Sequence, residues 1–421
     1  MIPSRRGILA AGLAGMAGAG GLAAWHFWPE QGVLNPCLGP LPASLAAHPM
    51  VRDAWAGLDP AYVWDMHAHL LGVGDHGTAP AAGINDYRGS LRWPLAAAQR
   101  TFFLNAGCAT GTGIDLAYIQ RLRSLVEAMP AGHKLVLLAL DRWHGEDGLA
   151  SNERTHAWVG NRFCAAVARA SPARFEWIAS VHPYRKDAVQ ELEQAKQWGA
   201  RAVKWIPSAQ GIDPASPRCD AFYAALARLG LPLLTHAGSE RAAPGDEELG
   251  NPLRLRRPLE QGVRVVVSHC ASMGESRDID RGPEGPWTDN FDLFERLMGE
   301  PAHLGRLYGD ISAITQSARA GALLRRILER AGEFGSGIGL GDWVGRILNG
   351  SDYPLPAIMP LYSPRQLVEA GYLDESAVEP LTEIRRHNAL LFDFVLKRHL
   401  RVGGRQLSSR VFETRRFFAP G

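Results

Sequence analysis

The sequence predicts an α/β chain folded as a (β/α)8 TIM barrel with a metal site at the C-terminal mouth of its strands. Three observations carry that expectation. Eight short runs rich in Val, Ile, Leu and aromatic residues alternate with stretches able to hold helices. No internal repeat is evident and no GxGxxG follows the first run, which makes a doubly wound open sheet the second choice. Polar, chemistry-bearing side chains stand at the ends of five of the runs, where barrels of this kind build their active sites.

Taken in order, the chain begins with Ser4-Arg5-Arg6-Gly7-Ile8-Leu9 and an uncharged, Ala- and Gly-rich run over residues 7–25. That pattern resembles a twin-arginine export signal, with an ordinary basic-headed signal as the alternative. A run of about 20 apolar residues can also span a bilayer, so residues 1–30 are read as a signal or a membrane anchor. The protein is then expected to be periplasmic, or anchored facing the periplasm. Residues 31–60, with Pro36, Pro40, Pro42 and Pro60, read as a linker wrapping onto the domain.

Tyr62 to Leu70, YVWDMHAHL, supplies the first strand. Residues two apart on extended chain share a face, so His67 and His69 can present two imidazoles to one point. A long insertion over residues 71–133 follows, with helices expected from Trp93-Pro94 to Gly107 and over 114–129. Its length suits a lid or substrate wall. Seven further strands are expected at 134–140, 175–181, 201–206, 231–236, 263–269, 307–311 and 346–351. The barrel domain is placed at 61–397, and residues 398–421 form a tail in which Arg401, Arg405, Arg410, Arg415 and Arg416 alternate with apolar residues. The tail is expected to pack over the barrel's outer surface.

Of the 421 residues, 46% are hydrophobic, ample for one large core. The 45 basic and 43 acidic side chains nearly cancel without forming a basic block, which argues against nucleic acid and leaves a small molecule as the expected partner. No feature specifies an oligomeric state. Cys37, Cys108, Cys164, Cys219 and Cys270 are scattered without a CxxC pair, so no zinc-finger-like site or disulfide framework is indicated. One or two bridges are compatible with residence outside the cytoplasm. Cys270 reads as a small core residue rather than a nucleophile.

On this barrel His67 and His69 end strand one, Lys204 lies late in strand four, His236 ends strand five, His269 ends strand six and Asp352 follows strand eight. Their convergence on one mouth is the pattern of a metal site. His182, Tyr184, Arg142 and Glu240 are secondary candidates on the loops around it.

WDMHAHL, GARAVKWIP, LPLLTHAG, VVVSHC and ILNGSDYP, with RRHNALLFDF near the end, resemble the amidohydrolase superfamily. The similarity is to its amidohydrolase-related (amidohydrolase 2) branch, which also holds the aminocarboxymuconate-semialdehyde decarboxylase group, and it covers about residues 61–397. It implies Zn²⁺ or another divalent transition metal, one or two ions per chain, with His67, His69, His236 and Asp352 as ligands. By the same resemblance Asp352 would also shuttle protons, and His269 would serve as acid or base or bind a second ion. In two-metal members a carboxylated lysine on strand four bridges the ions, a role that would fall to Lys204. Alternation leaves open whether Lys204 faces that site, a substrate carboxylate or solvent.

The implied activity is hydrolysis of an amide, lactone or ester bond of a small molecule by metal-activated water. Non-oxidative decarboxylation of a small unsaturated or aromatic acid is the alternative. A non-catalytic metal-binding protein is a third reading, which the intact Asp352 and strand-end histidines disfavour.

Overall fold

Eight short parallel strands follow one another around a ring in chain order: β1 (Trp64–His69), β2 (Lys134–Leu138), β3 (Phe175–Ile178), β4 (Val203–Trp205), β5 (Leu233–His236), β6 (Val265–Ser268), β7 (Leu307–Asp310) and β8 (Ile347–Leu348). The computed structural model describes residues 31–76, 81–85, 87, 90–334 and 342–418, so the expected signal or anchor over residues 1–30 lies outside the described residues.

β1 to β3 form one parallel sheet and β4 to β8 another. Two parallel rungs join them: Ala179, just past β3, pairs with Val203, and Ala68 pairs with Tyr353, past β8. Across these seams Lys204 N donates to Ala179 O and Asp352 N to His67 O, each at 2.7 Å. The strands therefore close into a ring, and the open-sheet alternative fails.

Alternation along each strand divides the core. Met66, Val136, Leu138, Ile178, Leu234 and Val266 fill the barrel interior. Their neighbours Leu135 and Leu137 pack outward in a second cluster, and Val265 and Val267 in a third. The tail departs from expectation. Phe417 joins the interior cluster, its ring 4.8 Å from that of Tyr308, and its carbonyl accepts from Arg264 Nη1 at 2.9 Å. Arg264 and Tyr308 stand at the starts of β6 and β7, so an apolar side chain plugs the floor instead of lying on the outer wall.

The linker does wrap onto the domain: Met50, Val51 and Ala54 of the helix Pro49–Trp55 are buried, and the Trp55 ring lies 4.2 Å from that of Phe394. Cys37 and Cys108 form a disulfide across 71 residues, while Cys164, Cys219 and Cys270 are free and buried. Both helices expected in the insertion are present, Trp93–Ala106 and Ile114–Glu127. Asp75 caps the second from outside, its carboxylate accepting from Ile114 N at 2.7 Å and Asp115 N at 3.0 Å. Leu91 and Leu95 stand exposed on the insertion. None of the described helices is long and apolar enough to cross a membrane.

His133, buried at the end of the insertion, gives the fold an acid sensitivity. Neither ring nitrogen has a hydrogen-bond partner of good geometry among the described residues. Burial, weakly opposed by the Val63 backbone, lowers its pKa from 6.5 to about 4. The unfolded chain therefore takes up this proton first, so stability is full above pH ~6.5 and is lost as pH falls toward 4, by about 3 kcal/mol. His133→Leu should shrink the difference in unfolding free energy between pH 7 and pH ~4.5 by most of that amount. Denaturant titrations at the two pH values check it, and an unchanged difference would reject the assignment.

Candidate metal centre

β1 carries Asp65, His67 and His69 at alternate positions, and its pairing with β2 shifts register between Asp65 and Ala68. Asp65 is a clamp: its Oδ1 accepts from His67 N at 3.1 Å and from Ser351 N at 2.8 Å, fixing β1 to the turn after β8. That turn is tight. A Cβ on Gly350 would lie 2.5 Å from His67 Cβ, so only glycine fits. Asp352 follows with φ +62°, a left-handed conformation that costs a non-glycine residue of order 1 kcal/mol and aims its side chain back over β1.

The Asp352 carboxylate divides its oxygens between two sides of the site. Oδ1 lies 3.1 Å from His69 Nε2 and 3.5 Å from His67 Nε2, and Oδ2 lies 3.6 Å from His269 Nε2. Donor atoms of His67, His69 and Asp352 all fall within 4.8 Å of one another. His269, Cys270 and Ala271 have φ of 55°, 51° and 52°, which turns the chain sharply off β6 and brings His269 to the mouth.

Behind this cluster stands Asp310, the last residue of β7. Its Oδ2 is 2.9 Å from His67 Nδ1, while Oδ1 accepts from His269 N at 2.9 Å and Ser312 N at 3.0 Å. A carboxylate only accepts, so His67 carries its proton on Nδ1 and leaves Nε2 bare toward Asp352. His269 is fixed likewise, with Nδ1 3.0 Å from Ser312 O, a carbonyl, which leaves its Nε2 bare. His67, His269 and Asp310 also lie close enough to suggest a second cradle. There, however, both Asp310 oxygens are already taken by these hydrogen bonds.

Lys204 is 1% exposed and points into the mouth, its Nζ donating to Ser268 Oγ at 2.8 Å and lying 3.3 Å from His67 Nε2. Burial lowers its pKa to about 8, against the pull of Asp310, Asp352 and Glu240. Burial, reinforced by the Lys204 charge, lowers the pKa of His67 and His236, and burial lowers that of His269. For Asp352 burial works upward. His269, His67 and the hydrogen bond from His69 outweigh it and hold the carboxyl well below its usual range. Neutral imidazoles beside an ionised carboxylate are the donor set a divalent transition metal takes.

The structure thus brings together His67, His69, His269, Lys204 and Asp352. His236 shares the mouth but stands outside the three-residue cluster, with Nε2 3.4 Å from Glu240 Oε2 and Nδ1 unpartnered among the described residues. His182 is fully occupied: its Nε2 is 3.0 Å from Gln210 O and its Nδ1 accepts from Tyr184 N at 3.2 Å. Arg142 stacks on Trp158 at 4.0 Å. Asp310, Ser312 and Ser268 went unnoticed in the sequence, although Asp310 occupies the same strand-end position that singled out the histidines. A cavity of about 1360 Å³ opens on the mouth loops, lined by residues including Tyr87, Arg92, Trp143, His144, Tyr184 and Asp213.

Among solved structures, the chain is similar to an uncharacterized TIM-barrel protein from Bordetella bronchiseptica, with 16% identity over 76% of this chain and 98% of that one and a TM-score of 0.43. A probable 2-pyrone-4,6-dicarboxylic acid hydrolase from Acinetobacter baumannii, solved with citric acid bound, shows 16% identity over 78% and 97% of the two chains, with a TM-score of 0.38. The 5-carboxyvanillate decarboxylase LigW from Sphingomonas paucimobilis shows 12% identity over 77% and 98%, with a TM-score of 0.40. No curated protein matches the sequence. The amidohydrolase family model matches residues 64–358, from the first residue of β1 through the turn that carries Asp352. That span holds every side chain of the centre, and the chain belongs to the amidohydrolase family.

Proposed function

We propose that the protein is a metal-dependent hydrolase acting on an amide, lactone or ester bond of a small molecule, with Asp352 and His269 as its proton carriers. The carrying observation is the split carboxylate, Oδ1 against His67 and His69 and Oδ2 turned to the bare Nε2 of His269. One oxygen can serve a metal while the other handles a proton. His67, His69 and Asp352, with His236 as a further ligand, would hold a divalent ion, which would supply Lewis acidity and make water easier to deprotonate at neutral pH. Asp352 Oδ2 takes the proton lost by attacking water and delivers it to the leaving group. His269 Nε2 accepts it in between or receives a hydrogen bond from the water. Asp310 and Ser312 keep both imidazoles in the required tautomer.

Non-oxidative decarboxylation is the second reading, favoured by the buried Lys204 ammonium, a ready partner for a substrate carboxylate. A panel of lactones, esters, amides and unsaturated or aromatic acids separates the two. New acid without CO₂ is expected; CO₂ release without hydrolysis would transfer the assignment to a lyase. Metal per chain, measured on protein purified without chelator and supplied with bicarbonate, tests the centre itself. At least one Zn²⁺ or similar ion is expected. About two, falling to about one in Lys204→Ala, would make Lys204 the bridge; a metal-free wild type would sink the whole reading. The Cys37–Cys108 disulfide supports export to an oxidising compartment, and recovery in the periplasmic fraction of a host expressing the full chain is the check.

A further inference from the structure

Two buried arginines flank the segment after Asp352, and they differ in one respect. Arg385 is saturated: it donates to Pro356 O at 2.7 Å, Ile358 O at 2.8 Å, Met359 O at 3.2 Å and Tyr362 O at 3.0 Å. Arg319, on the loop after β7, is only 9% exposed, yet its Nε and Nη1 have no hydrogen-bond partner among the described residues. No carboxylate pairs with it among the described residues. Two buried guanidinium nitrogens left unpartnered are unfavourable unless a ligand completes them.

The arginine is firmly held. Arg319 N donates to Gln316 O at 2.8 Å, and Ser317 N donates to Leu361 O at 2.9 Å, tying the loop to the segment gripped by Arg385. Tyr362 adjoins that tie, is 3% exposed, and has a hydroxyl unpartnered among the described residues. Burial raises its pKa well above 10, so it stays protonated and can donate. Both belong to the mouth end of the barrel, Arg319 on the loop that leaves β7 and Tyr362 in the segment that follows Asp352. The Arg319 charge is felt by His236, His269 and Glu240, and Asp352 acts on both Arg319 and Tyr362.

We propose that Arg319, assisted by the Tyr362 hydroxyl, is the receptor for a carboxylate that the substrate carries apart from the bond that is broken. This rests on the hydrolase reading of the centre and narrows its substrate class. One guanidinium and one neutral hydroxyl match a single negative charge, and a guanidinium presents its donors in a fixed fork suited to a carboxylate. Substrate is then located at two points, the metal and Arg319, which sets the reacting carbonyl in one orientation before chemistry begins.

Calorimetric titration with benzoate and its neutral isostere benzamide tests the receptor, using chelator-treated protein so that no ion can hold the probe. Benzoate is expected to bind the wild type at least tenfold more tightly than benzamide. Arg319→Met should erase that preference, Arg319→Lys restore part of it, and Tyr362→Phe reduce it a few-fold. An absent preference in the wild type, or one that survives in Arg319→Met, overturns the proposal. Near-UV circular dichroism confirms that each variant is folded, and Tyr362→Phe carries the test if Arg319→Met is not. Metal content of untreated wild type is read in parallel: no metal with an intact benzoate preference fails the hydrolase reading and leaves the receptor standing.

Discussion

Asp352→Asn should lower kcat by about 10²–10⁴-fold, the range in which a positioned proton carrier acts, while the fold stays intact. The substitution preserves shape and the backbone contact from Asp352 N to His67 O at 2.7 Å, which holds the turn. It replaces an ionised carboxylate by an amide that cannot take a proton. It also sets an NH₂ either against His69 Nε2, which itself donates to Asp352, or against the bare Nε2 of His269. Steady-state turnover of the best substrate from the panel, with circular dichroism as the fold control, is the measurement. Wild-type-like kcat would remove Asp352 from the chemistry.

Asp310→Asn is expected to weaken metal binding by about 10–100-fold although Asp310 is not proposed as a ligand. The amide oxygen can still accept from His269 N and Ser312 N, where Oδ1 now stands at 2.9 and 3.0 Å. Its NH₂ then faces His67 Nδ1, at the 2.9 Å position of Oδ2, and two donors cannot share one hydrogen bond. His67 must surrender the Nδ1 proton and carry it on Nε2, the nitrogen turned to Asp352, which then cannot ligate. Competition with a chromophoric chelator reads the affinity. An unchanged value would mean that the tautomer of His67 is set elsewhere.

How legible was this in the chain? Strands were visible because each is a short apolar run buried on both faces, as Leu135, Val136 and Leu137 show. The histidines were visible because they end such runs. The direction of Lys204 was not, since Ala202 and Ile206 on its face are as apolar as Val203 and Trp205 on the other. The structure shows why: Trp205 packs outward against Phe222 at 5.1 Å, so both faces are interior and only the depth of the mouth distinguishes Lys204. Asp310 falls inside the expected strand at 307–311, and its role shows only when the ring closes and β7 is set beside β6. Arg319 lies on a loop, where arginines are ordinarily solvated. The tail's alternating arginines suggested an outer strip, but Phe417 found an apolar hole beneath the barrel.

The Cys37–Cys108 bridge has a consequence for survival among proteases. It encloses β1, and with it His67 and His69, in a covalent ring. A single cut anywhere between the two cysteines, including the exposed stretch around Leu91 and Leu95, severs the chain without releasing a fragment. Both ends of the nick remain sewn to the barrel, so a clipped molecule can keep its first two imidazoles in register with Asp352 and stay in service.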